Sequence, residues 1–179
     1  MLFDRFYYKL KIKDHKICKP NILKRISEYN HPVENSGYSN SSISNSDWNA
    51  HGNNFPWLEF CFSLKDQKRL YNFFCKKYKK NPFVSNCWFN QYNPNSGSEH
   101  PIHDHGNCGL VMIYYVELKN QKLRTFLQNP KNNKQIIPSC KEGDVLIFPS
   151  NVLHGSPRNV YDSRKTIISF NISLFDDAI

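Results

Sequence analysis

From Val84 onward the chain reads as strand after strand, and this run constrains the fold more than any other feature. The segments 84–92, 109–118, 122–128, 144–149 and 165–174 are apolar or alternate apolar with polar, with turn residues between them. Gly109-Leu110-Val111-Met112-Ile113-Tyr114-Tyr115-Val116-Glu117-Leu118 reads as a buried strand, and Gly143-Asp144 as a turn leading into another. Residues 3–13 alternate apolar and charged, which predicts one more strand. Pro20 opens a short helical pattern with Ile22, Ile26 and Tyr29 on one face, stopped by Asn30-His31-Pro32. Ser63-Leu64-Lys65-Asp66 predicts a capped helix start, continued by Leu70, Phe73, Phe74 and Tyr78 and ended by Asn81-Pro82. Two short helices outside a series of antiparallel strands fit a mainly β, β-rich α+β fold of the double-stranded β-helix (jelly-roll) type.

Length and composition agree. A chain of 179 residues is expected to form one domain, 1–179, and is long enough to bury a proper core. Aromatic residues make up 15%, which supports a folded β-rich chain over a disordered one. No apolar stretch reaches the length of a membrane span, and Met1-Leu2-Phe3-Asp4-Arg5 lacks the apolar core of a signal peptide, so a cytoplasmic location is expected. The 6 cysteines show no Cys-x-x-Cys spacing and read as reduced thiols, with Cys108 notable for following His105 by three residues. The net charge of +9 permits a nucleic-acid partner but does not indicate one. Its lysines fall at Lys9, Lys11 and Lys13 on an edge-like strand and at Lys76 to Lys80 at a helix end, both ordinary solvated positions.

The chemistry concentrates in three histidines. His103 and His105 sit in His100-Pro101-Ile102-His103-Asp104-His105-Gly106-Asn107, and His154 follows Phe148-Pro149-Ser150. On a strand, positions i and i+2 project to the same side, so the pair can aim two imidazoles at one spot, with Asp104 turned away. Neutral imidazole is a ligand for iron, zinc, copper and nickel, and a close pair plus one distant ligand leaves open positions on the metal. A His-x-His pair in a loop is more often a polar surface feature; the strands flanking each half here favour ligation. His103, His105 and His154 are the expected set, with Asp104 or His100 as alternatives to His105.

The order of motifs resembles a known family, the 2-oxoglutarate/Fe(II)-dependent oxygenases of phage and marine bacterial type. The pieces are Trp88-Phe89-Asn90, His103-Asp104-His105-Gly106-Asn107, Ile113-Tyr114-Tyr115, Gly143-Asp144 to Phe148-Pro149-Ser150, His154, Arg164-Lys165 and Ser169-Phe170-Asn171. They run from about Trp88 to Leu174, half of the chain, in order and with compatible gaps. The resemblance implies Fe(II) and 2-oxoglutarate as cofactor and co-substrate, and hydroxylation of an unidentified substrate (a small molecule or a protein side chain). It departs from the family's usual two-histidine, one-carboxylate ligation by placing His105 in the carboxylate slot. It implies a basic residue for the distal carboxylate of 2-oxoglutarate, whose register lands on Lys165, with Arg164 the alternative. Asn90, Tyr92 and Tyr114 are expected to line the cavity by alternation, with Tyr115 facing outward. The Ser/Asn-rich stretch 34–54 reads as a mobile loop, and Trp48 and His51 in it are candidate substrate contacts. Two other classes stay open: a three-histidine cupin-type dioxygenase without 2-oxoglutarate, and a non-catalytic jelly-roll binding or virion-associated module.

Overall fold

The longest pairing in the protein joins β3 (Asn81–Tyr92) to β10 (Lys165–Phe175), antiparallel, with Lys165 opposite Tyr92 and Phe175 opposite Asn81. The computed structural model describes residues 6–29, 43–48 and 57–176. Around that pair, β1 (Tyr8–Lys11), β2 (Asn45–Ser46), β5 (Leu110–Leu118) and β8 (Asp144–Pro149) complete a six-stranded sheet in the order β1-β8-β5-β10-β3-β2. A second, four-stranded sheet holds β4 (His100–His103), β6 (Phe126–Gln128), β7 (Gln135–Ile136) and β9 (His154–Ser156) in the order β4-β9-β6-β7. All pairings are antiparallel. Two antiparallel sheets, one carrying helices, form the double-stranded β-helix.

Side-chain alternation on the large sheet divides the core in two. Met112, Tyr114, Val145, Ile147, Phe89 and Phe170 face an outer layer with α1 (His15–Glu28), α2 (Trp57–Cys61) and α3 (Leu64–Tyr78). Val111, Ile113, Tyr115, Tyr92, Leu146 and Phe148 face the inner layer between the sheets. Tyr114 is therefore not a cavity liner: its hydroxyl meets His15 Nδ1 at 2.7 Å in the outer layer, and Tyr115 takes the inner side. Both faces of β5 are buried, so neither tyrosine is marked outward by a polar neighbour, and alternation alone could not fix the parity.

Other elements also depart from expectation. Helix α1 starts at His15 and carries Pro20 inside it. Its first turn is held from outside: the buried Asp66 carboxylate accepts from the backbone N–H groups of Lys13 (3.2 Å) and Asp14 (2.9 Å), and Ile17 and Cys18 bond to Asp14 O. These bonds fix the turn that leads into the helix at His15, ahead of the proline. Within the 34–54 stretch, residues 43–48 are ordered: β2 pairs with β3 at the sheet edge, and the buried Asp47 carboxylate accepts from Phe89 N–H and Trp57 Nε1, each at 2.6 Å. The remainder of that stretch, His51 included, lies outside the described residues. The segment at 122–128 forms a 3-10 turn at Gln121–Leu123 before β6. Among the described residues, no helix is long and apolar enough to cross a membrane.

Asp66 ties α3 to the turn before α1; Arg69 of the same helix also donates to it at 2.5 Å, and the Ser63 cap of α3 donates to Asp14 at 2.6 Å. Removing it leaves three part-buried donors unpaired. Asp66→Ala is expected to lower the unfolding free energy by about 3 kcal/mol in urea denaturation, and Ser63→Ala by about 1 kcal/mol. A loss below about 0.5 kcal/mol for Asp66→Ala would show that α1 is anchored some other way.

Candidate metal centre

The three histidines meet because two short strands and one tight loop bring them to one end of the inner layer. His103 ends β4 and lies directly across from His154, the first residue of β9. His105 lies two residues past the strand, where its N–H donates to Ser150 O at 2.9 Å. Ser150 holds the loop further: its hydroxyl donates to Gly106 O at 2.7 Å and accepts from Gly109 N–H at 3.2 Å. Gly109 has φ +103°, and a Cβ there would come within 2.6 Å of Ile172 O. At Gly155 a Cβ would come within 2.5 Å of the Phe126 ring and 2.8 Å of His100 O, so the close approach of β9 to β4 requires glycine.

Each ring is turned by a hydrogen bond at Nδ1. His103 Nδ1 donates to Pro101 O (2.8 Å), His105 Nδ1 to Asn171 Oδ1 (2.6 Å) and His154 Nδ1 to Val152 O (3.0 Å). An acceptor on Nδ1 leaves the Nε2 lone pair free to ligate. The Nε2 atoms of His103 and His105 stand 3.3 Å apart, and one ligand atom from each of the three histidines lies within 4.8 Å of the others. Two uncharged-acceptor nitrogens at that distance with no proton to share fit a common cation. Burial is the largest influence on all three and lowers their pKa values, so the rings stay neutral and able to bind metal.

Behind the histidines the inner layer holds a buried cation. Lys165, fully inaccessible, donates from Nζ to Ser156 Oγ at 2.8 Å and lies 4.8 Å from the Tyr92 ring centroid and 5.9 Å from that of Tyr115. Among the described residues no carboxylate pairs with it, and burial lowers its pKa to about 7. Tyr92 Oη is also buried, with Ser156 as its polar neighbour. Arg164, adjacent in sequence, points to the other face and pairs with Glu117, Nε to Oε2 at 2.8 Å. Lys165 and Arg164 thus sit as strand alternation requires, with Lys165 inside.

A cavity of about 20 Å³ joins the two parts, lined by the four histidines His100, His103, His105 and His154 and by Tyr92 and Ser156. As folded it holds about one water, so it is closed around its own donors. A larger groove of about 500 Å³ lies between α3 and the outer face of the sheet, but no histidine, cysteine or carboxylate lines it. Asn90 lines the metal cavity; with its amide nitrogen toward Ser46 Oγ, its oxygen accepts from Trp88 Nε1 at 3.2 Å. Trp88 stacks on His105 with ring centroids 5.7 Å apart, and the half-buried Trp48 packs edge-on against Trp88 at 4.2 Å.

The alternative ligands lie elsewhere. Asp104 is exposed and accepts from Gly106 N–H at 3.1 Å. His100 stacks on His103 at 3.9 Å, a parallel arrangement that keeps it out of the convergent group. Cys108 turns its thiol toward Leu110 O. Ser156 and Asn171 carry roles not read from the sequence. Ser156 follows His154 by two residues on one strand, a same-side spacing that would have shown it.

Comparisons with known proteins agree on the fold. No family model matches the chain, and no curated protein matches it. Solved structures do. A viral collagen prolyl hydroxylase from Paramecium Bursaria Chlorella virus-1, in complex with 2-oxoglutarate, aligns with TM-score 0.61 and 16% identity over 96% of this chain and 97% of its own. The non-haem α-ketoglutarate-dependent epimerase SnoN of nogalamycin biosynthesis aligns with TM-score 0.66 and 10% identity, covering 96% and 78%. A 2OG-Fe(II) oxygenase family protein from Burkholderia pseudomallei aligns with TM-score 0.51 and 14% identity over 59% of this chain, which spans half of that protein's length. The fold is that of the 2-oxoglutarate/Fe(II) oxygenases.

The histidine cluster has a consequence for the metal-free protein. Burial lowers the His100 pKa from 6.5 to about 3 and lowers those of the other three. Groups whose folded pKa is depressed contribute stability that is present above the unfolded value and lost as pH falls toward the folded one. Thermal stability of the metal-free protein is expected to drop as pH falls from 6.5 toward 3, and the His100→Gln variant to show a shallower drop. Equal slopes in the two proteins would mean that His100 is not buried neutral.

Proposed function

We propose that this protein is a non-haem Fe(II)- and 2-oxoglutarate-dependent oxygenase that hydroxylates a substrate at an unactivated C–H bond. The observation that carries the reading is Lys165: a fully buried lysine with no carboxylate partner among the described residues, in the same inner layer as three convergent imidazoles. An isolated buried charge is costly, and a protein keeps one where a ligand supplies the counter-charge. A three-histidine dioxygenase acting without 2-oxoglutarate has no use for that cation.

His103, His105 and His154 would hold the iron through Nε2. Iron supplies the chemistry that couples O2 and the oxidative decarboxylation of 2-oxoglutarate, to succinate and CO2, with hydroxylation of the substrate. The side chains do the rest. Lys165 binds the distal carboxylate of the co-substrate as a point charge, with Tyr92 Oη and Ser156 Oγ as neighbouring donors. At about 20 Å³ the cavity is too small for the co-substrate as folded, so binding requires the lining side chains to move apart, and the incoming carboxylate competes with Ser156 Oγ for Lys165 Nζ. Trp88 against His105 and Phe148 against His154 shield the ligand rings from water. Asp47 fixes the segment just after β2, and Trp48 packs against Trp88, itself a lining residue of the cavity, which makes Trp48 a candidate substrate contact. The neighbours differ, one a collagen prolyl hydroxylase and another an epimerase of nogalamycin biosynthesis, and carry no choice of substrate here.

With Fe(II) and 2-oxoglutarate in air, the protein is expected to form succinate slowly even without substrate, and His154→Ala to abolish this. Lys165→Ala is expected to weaken 2-oxoglutarate binding at least about tenfold, about 1.4 kcal/mol, with Arg164→Ala nearly silent and metal affinity little changed in either. The measurement is titration of 2-oxoglutarate into the anaerobic Fe(II) protein, following the charge-transfer band. If neither substitution matters, 2-oxoglutarate is the wrong co-substrate and a three-histidine dioxygenase or a binding module takes its place.

The same titration has a pH signature. The charged lysine binds the carboxylate, and in the free protein its pKa is about 7. Binding therefore takes up a proton above that value. The dissociation constant for 2-oxoglutarate is expected to rise about tenfold per pH unit between pH 7 and 9, and the rise to vanish in Lys165→Ala.

A further inference from the structure

The outer side of the large sheet carries a cleft that the metal chemistry does not use. It measures about 500 Å³ and lies between α2, α3 and the strands. Val84, Met112 and Ile172 form its floor on β3, β5 and β10; Phe62, from the turn after α2, and Leu70 and Phe74 of α3 supply apolar walls. Its volume falls in the range of small-molecule sites, ~300–1,000 Å³. Along α3 it runs from Gln67 to Phe74, about 10 Å of helix rise. A cleft no longer than a helix is wide suits a small chain-like molecule.

The polar lining comes from α3 alone. The Gln67 amide donates to Phe62 O at 3.0 Å and the Tyr71 hydroxyl to Asn81 Oδ1 at 2.7 Å, so both are engaged within the protein. Lys68 is the one charged side chain that lines the cleft; it is exposed, and among the described residues no carboxylate pairs with it. The helix carries Lys65, Lys68, Arg69, Lys76 and Lys77 against a single acid, Asp66, which is buried and bonded to Arg69. The floor is therefore apolar and the helical wall positive, a combination complementary to a molecule with an apolar tail and an anionic head.

From these features we infer that the cleft binds a small amphipathic acid, its unbranched apolar tail on Val84, Met112 and Ile172 and its carboxylate at Lys68. The site lies across the sheet from the histidines and Lys165, and it does not depend on the function proposed above. The tail gains by leaving water in proportion to its length. The head gains from a cation that has no competing carboxylate, modestly, because Lys68 is exposed.

Isothermal titration of decanoate into the metal-free full chain tests this. Decanoate is expected to bind one to one, and octanoate, two methylenes shorter, about tenfold more weakly. Decanol, which has the tail without the charge, is expected to bind more weakly than decanoate. Lys68→Glu is expected to weaken decanoate about fivefold and to leave decanol unchanged. Val84→Trp, which fills the floor, is expected to abolish binding of both, with folding checked by circular dichroism; the chain-length series and Lys68→Glu decide the matter if that variant does not fold. If decanoate does not bind, or binds as well to folded Val84→Trp, the inference is overturned. It is overturned equally if decanol matches decanoate and Lys68→Glu changes nothing. If the natural protein sediments as a dimer that Val84→Trp splits, a second copy covers the cleft and the inference fails.

Discussion

The antiparallel register of β10 is the constraint on which both ends of the site depend. Lys165, Ile167, Ser169 and Asn171 alternate onto the inner side of one strand, pinned between β3 and β5. The first of them is the buried cation, and the last receives the Nδ1 proton of His105. One strand therefore sets the distance between the buried lysine and the histidine cluster. A slip of one residue would turn all four outward and bring Arg164 and Thr166 in. The long pairing with β3 and the apolar alternation of Ile168, Phe170 and Ile172 into the outer core make such a slip costly.

The second constraint is electrostatic. The inner layer gathers the buried His154, three half-buried histidines and the buried Lys165, and among the described residues no carboxylate lines the histidine cavity. Burial keeps the histidines neutral and weakens the lysine's hold on its proton. A site so prepared is poor in negative charge and rich in donors.

Much of this was legible in the sequence, for definite reasons. His103 and His105 are two apart, and that spacing keeps the rings on one side even though the strand ends before His105. Lys165 stands six residues before Asn171, a separation that preserves the face. The cap at Ser63 and the helix after it follow from local chemistry alone. The misreadings occur where local pattern carries no signal. Tyr114 and Tyr115 are both buried, so polarity does not separate them. The start of α1 depends on Asp66, distant in sequence. Strand β2 has two residues, too few for a period, and is held by Asp47 reaching across to Phe89. Ser156 matters only once β9 is known to be a strand.

The central claim is that three neutral imidazoles, with no protein carboxylate, hold the metal beside a lysine-anchored dicarboxylate. X-ray absorption at the iron edge of the anaerobic Fe(II) protein with 2-oxoglutarate tests it most directly. The expected spectrum carries the multiple scattering of three imidazoles, with the remaining light-atom shell supplied by 2-oxoglutarate and solvent, and is unchanged in Asp104→Asn. Scattering from two imidazoles, or a shell that changes in Asp104→Asn, would contradict the account.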